Sequence, residues 1–205
     1  MTQTITRATP SAFDRLIRKW REFRRDRRGM LLQETAIAMP ILISMSLGGV
    51  EIARFALLQQ KLDRVAMTTS DMVSQGETIS IPEMDVIFTA TSTIMLPFDT
   101  GANTRVIVSS VYATGGTPAK VVWQRSGGGT LTGPVSEIGV VDANADLPPG
   151  FIVRDGENVI IAEVFYTFSP LFLPDLLPSQ TLYHRSMFRP RFGTLTTMCA
   201  TPCAP

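Results

Sequence analysis

At 205 residues the chain has room for one ordinary domain plus an anchor or tail, but not for two domains. Its apolar and aromatic content suits a buried core, and one histidine with two cysteines falls short of an ordinary four-ligand zinc site. The net charge of +1 hides a segregation: residues 1–28 carry nine Lys/Arg against three Asp/Glu, a net of +6, whereas ten face fifteen from Gly29 onward, a net of −5.

The basic arm comprises Arg7, Arg15, Arg18, Lys19, Arg21, Arg24, Arg25, Arg27 and Arg28. Between them Phe13, Leu16, Ile17, Trp20 and Phe23 fall at helical spacing, the pattern of an amphipathic helix on an anionic inner leaflet. A nucleic-acid patch is the competing reading of an arginine-rich run. It is set aside because a topogenic role beside an apolar helix accounts for the arm, so no nucleic-acid partner is expected. Cations directly before an apolar run put the arm in the cytoplasm and the remainder across the membrane.

Gly29 joins the arm to residues 30–50, a run of 21 residues that would measure about 32 Å as a helix, enough to cross a hydrocarbon core. Residues 35–50 carry no formal charge. A cleaved secretory signal fits poorly, because the basic region is long and no small-x-small site follows. Glu34 is the anomaly, since a carboxylate within such a run costs roughly 2.5–3.5 kcal/mol on insertion scales and asks for a partner. The competing reading is a boundary residue reaching back to water. Glu51 and Arg54, at i and i+3, read as a pair marking the helix exit.

Leu58, Leu62, Val65, Thr69 and Met72 then recur at steps of four and three, so the helix continues as a packed element to about Ser74, stopped by Gly76. Ser80, Pro82 and Glu83 form a helix-start signature, with Val86, Ile87, Ala90, Thr91 and Ile94 as its apolar face and Pro97 ending it. Residues 105–113, 119–125, 158–168 and 182–192 read as strands, the first two joined at Gly115-Gly116. Gly127, Gly128 and Gly129 lack the Lys-Ser/Thr of a phosphate loop and read as a flexible loop opening a weakly patterned connection. The expected fold class is α+β: one long N-terminal helix, half in lipid and half packed on an antiparallel sheet of three to five strands.

Nothing in this pattern assembles catalysis. His184 reads as structural, and Ser109, Ser110 and Ser126 have no partner at a recognisable spacing. No enzymatic activity, cofactor or metal is expected. Cys199 and Cys203 suit a short disulfide in an oxidising compartment, with an intermolecular bond or free thiols as the alternatives left open. The expected organisation is a basic cytoplasmic leader (1–29), a transmembrane helix (30–50), a periplasmic domain (51–198) and a tail (199–205).

The stretch RRGMLLQETAIAMPILISMSLGGVEIAR, residues 27–54, resembles the N-terminal signature of TadE/TadG-like proteins of tight-adherence (Tad) pilus systems. Shared features are basic residues, a glycine, a glutamate five positions on, a proline, and an aliphatic run ending in Glu and Arg. VIVSSVYA, KVVWQRS, VIIAEVFYTFSPLF and Arg189-Pro190-Arg191 extend the likeness over most of residues 27–192. Thr35, where the family favours an aromatic residue, and the bulky Met30-Leu31-Leu32 depart from it. The resemblance implies a pilin-like fold and a minor pilin or pseudopilin of the inner membrane that assists assembly of a type IV pilus for adherence or secretion. It implies cleavage between Gly29 and Met30 by a prepilin peptidase. Glu34 would pair with the N-terminal amine of a neighbouring pilin, and the subunit could enter the pilus. The alternative function is an uncleaved inner-membrane anchor whose periplasmic domain binds another envelope component.

Overall fold

The structure is a computed structural model and describes residues 12–25, 29–172, 174–175 and 177–203. Its elements are α1 (Ala12–Arg25), α2 (Met30–Ser74), α3 (Ile81–Met95), β1 (Thr104–Tyr112), β2 (Lys120–Gly127), β3 (Asn158–Phe168) and β4 (Gln180–Phe188). The chain divides into two compact units, Met1–Leu47 and Gly48–Pro205. The long N-terminal helix and a four-stranded antiparallel sheet of order β2-β1-β3-β4 give the expected α+β class.

In the first unit α1 leaves Phe13, Leu16, Ile17, Trp20 and Phe23 exposed. Arg24 lies over the Trp20 ring at 5.7 Å, and Arg18 pairs with Glu22 at 3.7 Å. Arg7, Arg27 and Arg28 fall outside the described residues. The helix α2 is long and apolar enough to cross a membrane.

In the second unit the sheet is sandwiched. One face carries Val106 and Val108 of β1, Trp123 of β2, Ile160, Ala162, Val164, Tyr166 and Phe168 of β3, and Leu182 of β4. Alternation along each strand puts these side chains on a common face, where α2 and α3 cover them. From α2 come Leu58, Leu62, Val65, Ala66 and Val73, all fully buried. The expected stripe needs one correction: Met72 is exposed and Val73 packs instead, because Ser70 and Ser74 share the buried side. Their hydroxyls donate to the carbonyls of Ala66 and Ser70 at 2.7 and 2.6 Å, so small polar residues can face the core. Gly76 is not a left-handed cap. A Cβ there would lie 2.7 Å from the Thr78 carbonyl oxygen, and this close approach is what requires glycine.

The α3 N-terminus is as expected at Ser80, whose N–H and hydroxyl both donate to the Glu83 carboxylate at 2.8 and 2.7 Å. Its buried face is Met84, Ile87, Phe88, Thr91 and Met95, a stripe at i, i+3, i+4, i+7 and i+11 that turns Val86 outward. β4 ends at Phe188 rather than residue 192, because Arg189-Pro190 cannot continue the ladder.

The second sheet face buries Val111, Val121, Val159 and Ile161 under the connection between β2 and β3, which contributes Ile138 and Val153. This connection is a covering layer. It also hydrogen-bonds along the outer edge of β2, through Val121 N–H to Ala143 O (3.1 Å) and Ala145 N–H to Ala119 O (2.8 Å). The triple glycine opening it is tightly packed rather than a free loop. A Cβ on Gly127 would lie 2.3 Å from the Phe88 ring, and one on Gly129 would lie 2.2 Å from the Thr104 carbonyl oxygen.

Candidate functional site

The residues picked out by sequence fall into three groups. In the first, Gly29 occupies an exposed turn immediately before α2, with nothing within 4 Å of where a Cβ would be. Its carbonyl accepts from the Gln33 N–H at 3.0 Å, the first hydrogen bond of the helix. Met30, Leu31 and Leu32 are exposed, so the Gly29–Met30 peptide lies open. Glu34 is exposed one turn on and, at i+4 from Met30, shares its face of the helix. Among the described residues it has no ion-pair or hydrogen-bond partner. The apolar side chains that follow, including Ile37, Ile41, Leu42, Ile43 and Met45, are exposed.

The second group gains partners that the sequence did not show. Glu51 and Arg54 pair, at 3.1 Å, and Glu51 is 0% exposed. Its second carboxylate oxygen accepts the backbone N–H groups of Leu171 and Phe172, each at 2.9 Å, and so fixes the segment after β3 against α2. Burial alone would raise this carboxyl's pKa. The amides of Phe172 and Leu171, joined by the Arg54 charge, outweigh burial and hold it below the ordinary carboxylate value. The Arg54 guanidinium lies 5.8 Å from the ring centres of both Phe98 and Phe168. It lines a cavity of about 480 Å³ with Phe98, Asp99, Asn103, Tyr166 and Leu171. The Tyr166 phenol is pushed above its ordinary pKa, first by burial and then by Asp99, with Arg54 opposing.

The third group is the C-terminal pair. Cys199 and Cys203 are bonded to each other, with Cα atoms 5.6 Å apart. The start of the expected tail is held to the domain. Cys199 N–H donates to Ile79 O at 3.0 Å, and Ile81 N–H donates to Cys199 O at 2.9 Å, which fastens the loop to the start of α3.

Three polar features carry no sequence signal. Glu163 is fully buried in β3 and accepts from the Ser136 hydroxyl, from Glu137 N–H (2.8 Å) and from Tyr183 O–H (3.0 Å). The Tyr183 phenol is pushed well above its ordinary pKa, chiefly by burial and then by the neighbouring Glu163. The Leu195 carbonyl accepts from Ser110 Oγ (2.7 Å) and Trp123 Nε1 (2.8 Å), while Asn158 accepts the Leu195 N–H at 3.0 Å. Arg191 pairs with Asp71 at 2.7 Å and donates its backbone N–H to Ser74 O at 2.9 Å. His184 bonds Gln59 of α2 through its Nε2, Ser109 accepts from Gln124 at 2.8 Å, and Ser126 is exposed. Comparison of the chain with protein-family models, with curated proteins and with solved structures finds no match.

Proposed function

We propose that the chain is a non-enzymatic accessory subunit, a TadE/TadG-like minor pilin, that assists assembly of a Tad-type pilus for adherence or secretion. It is held in the inner membrane by residues 30–50, with the basic arm cytoplasmic and the α+β unit periplasmic. Its partners are a prepilin peptidase and other pilins of the same system.

The observation that carries this reading is the conjunction at the head of α2: an open Gly29–Met30 peptide and an exposed glutamate on the Met30 face, without a partner among the described residues. Cleavage after Gly29 would remove the carbonyl that starts the helix and leave an ammonium on Met30. A positive charge at a helix N-terminus is opposed by the helix dipole, so the new terminus favours a nearby carboxylate. Glu34 of an adjacent subunit supplies one, and in low dielectric an ammonium offsets much of that carboxylate's desolvation. A misaligned neighbour would leave both charges unpaired, so the pair sets register. The attached sheet unit is far larger than this contact requires, which suits a subunit that supports assembly rather than builds the shaft.

The test is Glu34→Ala in the native host, reading recovery of the subunit with pilins after detergent extraction. Recovery should fall well below that of the unaltered protein while the chain remains folded and membrane-bound. Unchanged recovery would end the registry role.

A further inference from the structure

We infer that Leu171 and Phe172, in the segment following β3 (SPLFLPDLLPS, residues 169–179), lie at the membrane–water interface and insert among the outermost acyl chains. This rests on residues 30–50 spanning a bilayer. Glu51 is the first residue beyond that span, and its carboxylate holds the backbone amides of both Leu171 and Phe172 at 2.9 Å. The carboxylate that holds these two amides thus belongs to the residue directly after the span. With their backbones tied, the two side chains still point outward: Leu171 is 63% and Phe172 is 48% exposed. Val50 and Ile52, flanking Glu51 on the helix, are exposed as well. Single exposed leucines are ordinary, but two adjacent exposed apolar residues with both backbones fixed to one buried carboxylate suit an interaction surface.

A lipid surface fits better than a protein partner on two counts. The pair is anchored to Glu51, the residue that directly follows the span. The segment carries one formal charge, Asp175, in eleven residues, with three prolines to keep it out of a regular element. Arg54 follows one turn beyond Glu51, part-exposed at the level where phosphate headgroups would lie. The pair would thus give the sheet-bearing unit a membrane contact of its own.

The test uses the full chain in lipid nanodiscs, with a nitroxide on an introduced cysteine at Phe172→Cys, Leu171→Cys, Ile43→Cys or Val86→Cys. The native cysteines are bonded to each other and do not take the label. Collisions with oxygen report lipid, and collisions with a water-soluble nickel chelate report water. The expected result is oxygen-favoured relaxation at 43, 171 and 172, and nickel-favoured relaxation at 86. Nickel-favoured relaxation at 171 and 172 with 43 still oxygen-favoured overturns the inference while the span stands. Nickel-favoured relaxation at all four positions removes the span and the inference with it. Spin–spin broadening at 171 or 172 that disappears on dilution with unlabelled protein would assign the surface to a second copy and also overturn it.

Discussion

The two halves of α2 share one backbone and differ in what they face. From Met30 to Met45 the apolar side chains are exposed on all sides, whereas from Leu58 to Ser74 a single stripe is buried and the rest is mostly polar, with Met67 and Met72 exposed. An all-round apolar surface is satisfied only by a medium that is itself apolar, while a stripe is satisfied by one packed neighbour. On the proposed membrane reading one continuous helix serves two environments, and between its halves the buried Glu51 carboxylate ties the helix to the sheet unit.

Truncation is the sharpest way to break this comparison. Leu62→Ala, at a fully buried position, should cost about 2–5 kcal/mol in denaturant unfolding of the detergent-solubilised protein. Leu42→Ala, in the exposed half, should stay within about 0.5 kcal/mol. Equal losses at the two positions would mean that the halves are not distinct. Next in size is Gly127→Ala, which places a methyl 2.3 Å from the Phe88 ring and should cost about 1–3 kcal/mol in the same assay.

The junction itself titrates. The Glu51 pKa is lowered in the fold, so its contribution is fully present above the unfolded value of about 4.3 and is lost as pH falls through the folded value. Acid unfolding of Glu51→Gln should accordingly be shallower than that of the unaltered chain. Tyr183 acts at the other extreme. Its raised pKa gives stability that is complete below about 10 and is lost as pH rises through the folded value, and Tyr183→Phe should flatten that alkaline loss. A modest effect is expected from reducing Cys199–Cys203. Only four positions separate the cysteines, so the loss in melting free energy should fall below the usual 2–4 kcal/mol or so for a disulfide.

The elements were legible where periodicity is long. The stripe through Leu58, Leu62 and Val65 and the β-branched runs of β1 and β3 locate the helix and the sheet within a few residues. What escaped the sequence is non-local. Glu51 reads as an exit charge because its partners are backbone amides 120 positions away, and an amide leaves no mark in a sequence. Glu163 is hidden in the same way behind Ser136 and Glu137. The covering connection buries Ile138 and Val153, two isolated residues without a period, so nothing in the pattern separates it from an open loop. At the candidate assembly site the local features, Gly29, Met30 and Glu34, were all legible, since they act within one turn of helix.

Prepilin-type processing separates the pilin from the static anchor, and the intact mass and N-terminal sequence of protein from its native membrane decide it. The prediction is a mature chain beginning at Met30 with a free amine. A chain that retains residues 1–29 in assembled material would contradict it, favour the uncleaved anchor, and leave Glu34 a boundary residue reaching toward water.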